Sequence, residues 1–208
     1  MVLRLFGYAH STCTARAATV LREKKIPFEF VPVDLQKGEQ KTPAYLEKQP
    51  FGQVPCLVRL HCNAILPYVA NAFQDDDGFI VYESRAIARY LDAKFPNQGP
   101  KLVPTGLKEN ALFEQAASIE LSHYNFPAAT AAYEKVFKPY VSSKTHRLRR
   151  PRFILNVSSA RGLTTDIAVF DKQISELSKQ LDVYEIILSK QKYMAGDVGH
   201  LSLDSFIT

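Results

Sequence analysis

The hydrophobic rhythm of this chain changes once, across a proline-rich joint, and that change limits the folds open to it. Residues 96–104 hold three prolines and a glycine, the composition of a linker. Ahead of the joint, strand-like and helix-like patterns alternate. Residues 2–6 (VLRLF) form a short apolar run suited to a buried strand, broken by Gly7-Tyr8-Ala9-His10. Ala17, Val20 and Leu21 then recur at helical spacing, with Ser11 or Thr12 placed to cap the start and Pro27 just past the end. Residues 28–33 read as a second strand and 40–49 as a short helix. Asp75-Asp76-Asp77-Gly78 is a turn that delivers residues 79–82 as another strand, and 84–95 alternate as an amphipathic helix. Beyond the joint the pattern is helical only. Leu112, Phe113, Ala116, Ile119 and Leu121 mark a long helix over about 107–140 with a kink expected at Pro127, and Ile174, Leu177, Leu181, Tyr184 and Leu188 mark a second over 165–190. An α/β unit is joined to an all-α unit.

Composition narrows the function classes. With 208 residues, 46% of them hydrophobic, the chain can bury one sizeable core or two small ones. No apolar run reaches membrane-spanning length and the start lacks the pattern of a signal peptide, so the expectation is a cytoplasmic protein with no membrane partner. Cys13, Cys56 and Cys62 are odd in number and lack paired spacing, which argues against a disulfide framework or a metal site. The Asn156-Val157-Ser158 glycosylation triplet is accordingly read as accidental. The net charge of +5 comes from residues 141–161, which hold Lys144, Arg147, Arg149, Arg150, Arg152 and Arg161 with no acid, and from Arg59 in 58–74; the remainder is slightly acidic. The basic cluster at 144–150 has no stacking aromatics or groove-entering element beside it, so no nucleic-acid partner is expected.

Four stretches carry a family resemblance: Ser11-Thr12-Cys13-Thr14, Lys48-Gln49-Pro50-Phe51-Gly52-Gln53-Val54-Pro55, Tyr82-Glu83-Ser84-Arg85-Ala86-Ile87, and Glu109-Asn110-Ala111-Leu112-Phe113-Glu114-Gln115. Together they resemble a glutathione S-transferase of the serine type, most similar to the plant phi class and its fungal relatives, over most of residues 1–140 and again over 162–198. The resemblance implies an α/β thioredoxin-like N-terminal domain (1–95) and an all-α helical domain (107–208). It implies an enzyme that transfers alkyl or aryl groups to glutathione for detoxification, uses glutathione as co-substrate without another cofactor or metal, and forms a homodimer.

Its site residues follow from the same resemblance. An X-Pro bond read from sequence alone favours trans; the resemblance implies a cis Val54-Pro55 bond, with the Val54 N–H and C=O facing outward to receive the cysteinyl part of the tripeptide. Gln53 adds its amide. Glu83 pairs with the γ-glutamyl ammonium, and Ser84, opening a helix, meets the carboxylate. Lys41 meets the glycyl carboxylate, joined by Gln40 where the class often carries histidine. Ser11 donates to the sulfur and stabilises the thiolate, with Thr14 as a second donor and Cys13 packed and inert. Tyr124 and Phe126 are candidates for the electrophile pocket, and Phe51 either inserts into a partner subunit or is buried in its own chain. A glutathione-binding protein without turnover, or an inactive product of a faulty gene model, is the alternative.

The chain also departs from the family pattern. Residues 56–74 and 141–161 interrupt familiar text as two insertions, each with a stretch beginning at valine and ending at Gln74 or Arg161, as retained introns would. The helical domain is expected to be incomplete at its C-terminal end, where Ser202 to Ser205 resemble only the start of a core helix.

Overall fold

A computed structural model of the chain describes residues 2–60, 80–138 and 164–196. Two compact units divide between Pro104 and Thr105. The first holds strand β1 (Val2–Gly7), helix α1 (Thr12–Glu23), strand β2 (Phe28–Pro32), a 3-10 turn (Glu39–Lys41), helix α2 (Pro43–Leu46), strands β3 (Cys56–Leu60) and β4 (Val81–Tyr82), and helix α3 (Ser84–Lys94). Its four-stranded sheet has the order β2-β1-β3-β4. β1 runs parallel to β2, with Leu5 opposite Phe30, and antiparallel to β3, with Leu5 opposite Leu57. β3 pairs antiparallel with β4, setting Cys56 against Tyr82.

The core follows from the sequence pattern. Leu3, Leu5 and Gly7 of β1 are buried while Arg4 and Phe6 between them are only half-buried, the alternation of a strand with one well-covered face. Ala17, Val20 and Leu21 of α1 and Ile87, Ala88 and Leu91 of α3 are all buried, and the two helices pack together. Gly7 ends β1 where Thr14 of α1 leaves no room for a Cβ, so the helix sits hard against the strand end.

Cys56–Leu60, the first five residues of the segment expected to be an insertion, form β3. Cys56, Leu57 and Val58 are each 0–1% exposed. A strand covered on both faces has no polar alternation to reveal it, which is why this run shows no period in sequence. Residues 61–74 and the second expected insertion at 141–161 lie outside the described residues, as does the expected C-terminal incompleteness.

The joint is anchored. Lys24 Nζ donates to Asp92 Oδ1 at 2.7 Å and to the Pro100 carbonyl at 3.1 Å, with side-chain exposures of 0% for Lys24 and 6% for Asp92. The same carboxylate accepts the N–H groups of Leu102 and Val103, each at 3.0 Å. A buried carboxylate with three donors is well satisfied.

The second unit is helical: α4 (Leu107–Ile119), α5 (Asn125–Ala132) and α6 (Ile167–Leu188), with π-helical turns at Glu120–Tyr124 and Tyr133–Phe137. The break expected at Pro127 comes a few residues earlier, in the first π turn. Pro127 has no N–H for the His123 carbonyl and its ring crowds that carbonyl, so the ladder widens ahead of it. Phe113, Ala116 and Ala117 are buried, but Leu112 and Leu121 are exposed. Glu134 is buried and ties the pieces together: its carboxylate accepts from Lys138 Nζ at 2.6 Å and the Asp166 N–H at 2.9 Å, and its carbonyl accepts from Thr165 Oγ1 at 3.0 Å. Asp166 in turn caps α6 through Val169 N. On the apolar face predicted for α6, Tyr184 is buried while Ile174, Leu181 and Leu188 remain exposed.

Candidate functional site

The loop from Gln49 to Pro55 is the centre of the site, and its backbone is held from several directions. Gly52 has φ +60°, and a Cβ there would stand 2.6 Å from Lys41 Nζ and 2.7 Å from the Gln40 carbonyl oxygen, so glycine is required on two counts. Lys41 Nζ donates to the Phe51 carbonyl at 2.7 Å; burial pulls its ammonium below the usual lysine range. Both main-chain groups of Gln53 are tied to residues of the preceding helix and turn. Its carbonyl accepts from Tyr45 Oη at 2.7 Å and its N–H donates to Gln49 Oε1 at 3.2 Å. Burial raises the Tyr45 phenol far above its usual range, keeping it a donor. The Gln53 side chain is exposed and makes no hydrogen bond among the described residues. The Val54-Pro55 peptide bond is cis, and Val54 makes no backbone hydrogen bond among the described residues.

Two helix starts face this loop. Glu83 caps α3 with φ 69° and ψ 114°, a backbone setting costly for a side chain with a Cβ, on the order of 1–3 kcal/mol, and one that concentrates at functional sites. Its carboxylate is exposed. Ser84, first residue of the helix and 4% exposed, accepts a hydrogen bond from Arg16 Nη1 at 2.8 Å. The first N–H groups of α3 have no partner within their own helix and carry its positive end. Ser11 caps α1: its Oγ accepts from Thr14 N at 3.3 Å, and its N–H donates to the Tyr8 carbonyl at 2.9 Å.

A cleft of about 340 Å³ lies among these parts. Of the residues predicted from sequence, Gln40, Gln53, Val54, Pro55, Glu83 and Ser84 line it. The Gln40 Oε1 is buried without a partner. Lys41 and Ser11 do not line the cleft: Lys41 Nζ is engaged by the Phe51 carbonyl, and the Ser11 hydroxyl caps α1. Cys13, expected to be packed and inert, is half-buried and lines the cleft, with Arg16 Nη1 at 3.7 Å from its Sγ. Thr14, expected as a second donor, is 3% exposed and does not line the cleft; its Oγ1 accepts the Tyr8 N–H at 3.3 Å. Phe51 is 61% exposed, edge-on to Tyr82 at 6.1 Å, so it is not the buried intrachain ring. Tyr124 and Phe126 belong to the second unit, where Tyr124 stacks on Tyr184 at 6.3 Å and Phe126 is exposed.

Sequence reasoning missed Gln49, Tyr45 and Arg16. The first two had a signal, since positions 45 and 49 share a face in the helix read over 40–49. Arg16 had none, because an arginine in an amphipathic helix ordinarily reads as surface. Among the described residues no cluster of metal-ligating side chains occurs, and no helix is long and apolar enough to cross a membrane.

The chain is similar to known proteins along nearly its whole length. The family model "Glutathione S-transferase, N-terminal domain" matches residues 10–94. Glutathione S-transferase PM239X14 of Arabidopsis thaliana is 40% identical over 95% of this chain and 75% of its own. Glutathione S-transferase hmp2 of Hypomyces subiculosus is 39% identical over 95% and 76%. Among solved structures, glutathione transferase F7 from Populus trichocarpa superposes with a TM-score of 0.76 at 35% identity, over 99% of this chain and 79% of that one. Glutathione S-transferase I from maize, in complex with an atrazine glutathione conjugate, superposes with a TM-score of 0.73 at 29% identity, over 100% and 77%. The four-stranded unit is thus thioredoxin-like and its companion is the family's helical domain. With the loop, the two helix starts and these relatives in agreement, the chain belongs to the glutathione S-transferase family.

Proposed function

We propose that this cleft binds glutathione and that the protein conjugates its thiolate to hydrophobic electrophiles, aryl halides among them, as a cytoplasmic homodimer. One observation carries the reading: the Gln53-Val54 main chain is clamped from behind while Val54 is left unbonded on the cleft side, beside Glu83 and Ser84. A cysteinyl residue laid along Val54 gains main-chain hydrogen bonds at little ordering cost, because the loop is already fixed. Glu83 takes the γ-glutamyl ammonium and Ser84 with the start of α3 takes the carboxylate. Gln53 and the unpartnered Gln40 Oε1 supply further polar contacts, and Lys41 favours the glycyl carboxylate by its charge.

The chemistry concerns one proton. A free thiol ionises near 8.5, and the thiolate is the nucleophile. Lowering that value by two units at the site requires about 2.7 kcal/mol. A donated hydroxyl hydrogen bond to a charged sulfur, plus the positive end of α1, has that magnitude. Ser11 is the residue assigned this role: accepting from Thr14 N leaves its own O–H proton free to donate. Sulfur then attacks the electrophilic carbon, forming a C–S bond as halide or another leaving group departs with its electron pair.

Retention on immobilised glutathione together with turnover of a chlorinated nitroaromatic is the expected result. Retention without turnover sinks the transferase reading in favour of a binding protein. The exposed ring of Phe51 supports the homodimer, for which sedimentation gives the test: a monomer at micromolar concentration refutes it.

A further inference from the structure

Cys13 is the second residue of α1, half-buried, and its thiol is free. It lines the cleft together with Val54, Glu83 and Ser84. A shared neighbour fixes its place there. Arg16 Nη1 donates to Ser84 Oγ at 2.8 Å and to Cys13 Sγ at 3.7 Å, so the thiol flanks the end of the cleft where α3 begins. Arg16 is itself only 9% exposed, its Nε has no partner, and among the described residues no carboxylate pairs with it. A buried cation is ordinarily answered by an anion. The atom at hand that can become one is the Cys13 sulfur.

Thiol–disulfide exchange needs a thiolate that a disulfide can reach. Cys56 shows the opposite setting: it is 0% exposed within β3, and burial pushes its thiol up to about 12. Cys13 opens instead onto a cleft of about 340 Å³, within the range of pockets that take small molecules. A small thiol joined to its sulfur has room to lie there.

We propose that Cys13 is a modification site for glutathione disulfide, and that the mixed disulfide formed there fills the cleft and shuts off binding of reduced glutathione. The inference rests on the reading of this cleft as the glutathione site. The Cys13 thiolate, its proton given to water, attacks one sulfur of glutathione disulfide. A new S–S bond forms at Cys13 as the old one breaks, and the other half leaves as glutathione thiolate and takes up a proton. Cys13 is oxidised and the departing half reduced, so no further oxidant enters. The attached tripeptide stands beside Glu83 and Ser84, in the place assigned to the γ-glutamyl group of the free peptide. Excess reduced glutathione, or a dithiol, reverses the exchange. One redox form of the peptide is thus bound as co-substrate while the other blocks the site.

The full chain is incubated with glutathione disulfide, freed of it, and compared before and after dithiothreitol with its Cys13→Ser and Cys62→Ser variants treated alike. Intact mass and peptide mapping should show one glutathione attached, at Cys13, with Cys56 unmodified. In calorimetric titration the modified chain should bind reduced glutathione more than about tenfold less tightly than the reduced chain, and dithiothreitol should restore the affinity. Cys62→Ser should respond as the wild type does, whereas Cys13→Ser should bind equally before and after the treatment. Attachment elsewhere than Cys13 overturns the inference, as does a loss of affinity that persists in Cys13→Ser or vanishes in Cys62→Ser. Should Cys13→Ser fail to fold, the wild-type and Cys62→Ser chains decide: affinity must fall in step with the mapped disulfide at Cys13, and a mismatch refutes the assignment. A reduced chain that binds no glutathione overturns the functional reading and this inference with it; a reduced chain that binds, and binds as well once Cys13 is modified, overturns the inference alone.

Discussion

The hydroxyl of Tyr45 donates to the main-chain carbonyl of Gln53 at 2.7 Å. With the Gln49 side chain holding the N–H of the same residue, the loop is set before any ligand arrives. Tyr45→Phe keeps the buried ring and removes one hydrogen bond. The expected loss is about 1 kcal/mol of stability, with a several-fold rise in KM for glutathione and a nearly unchanged kcat, because the clamp shapes binding rather than the reacting sulfur. Steady-state kinetics decide it; a fall in kcat at constant KM contradicts this role.

Ser11 carries two proposed duties that substitution can separate. Ser11→Ala loses the cap to Thr14 N, about 1 kcal/mol of stability, and most of the rate at neutral pH, with recovery in alkali where the bound thiol ionises unaided. Ser11→Asp preserves the cap, since aspartate caps as well as serine, but sets a negative charge beside the sulfur. Stability should return while activity stays lost. If both return together, Ser11 serves only as a cap.

Two cysteines differ sharply in surroundings. Cys13 is half-buried at the cleft wall, whereas Cys56 is fully buried in β3. Alkylation by iodoacetamide at neutral pH should mark Cys13 and spare Cys56, and glutathione should slow the Cys13 reaction by occupying the cleft. Peptide mapping by mass spectrometry reads both; labelling of Cys13 that glutathione does not slow places the ligand elsewhere.

Burial pushes the Cys56 thiol up to about 12 from an ordinary 9.0, against a smaller opposing pull from the Lys48 ammonium. Between those values the unfolded chain gives up a proton that the folded chain keeps, so this group makes stability fall as pH rises through the window. Lys48 works the other way: burial lowers its ammonium below 10.5, so its contribution rises with pH. Cys56→Ala isolates the thiol. Denaturant unfolding should show a stability curve that declines less steeply between pH 9.0 and 12 in the variant; parallel curves refute the assignment.

Lys24→Met strands the Asp92 carboxylate inside the first unit. Breaking one side of a buried pair costs about 3–5 kcal/mol, so the variant should unfold at markedly lower denaturant. A loss below 1 kcal/mol, the range of a surface pair, would show that the pair is hydrated.

The readable parts of this molecule are those where burial is one-sided. β1, α1 and α3 each show polar residues against an apolar face, so their periods stand out in the sequence. β3 has no such contrast: Cys56, Leu57 and Val58 are covered on both faces and look like foreign text. The π turn ahead of Pro127 escaped because a proline marks a disturbance without fixing which residue absorbs it. In the site, Gln53, Glu83 and Ser84 were legible through the motifs that hold them. Glu83's left-handed backbone, the turn of Thr14 toward β1 and the placement of Cys13 at the wall are outcomes of packing. Arg16, buried against Ser84 and Cys13, left no sign in the sequence because an arginine in an amphipathic helix ordinarily faces solvent.

Asp92 holds Leu102 and Val103 by their N–H groups and Lys24 by its ammonium, so the chain leaving α3 is fastened back onto the first unit. Lys24 ends α1 and Asp92 lies in the last turns of α3, so the two helices and the segment after them close on one carboxylate. α1 and α3 thus share one fastening near their C-terminal ends, and a change at Asp92 is felt by both helices of the first unit.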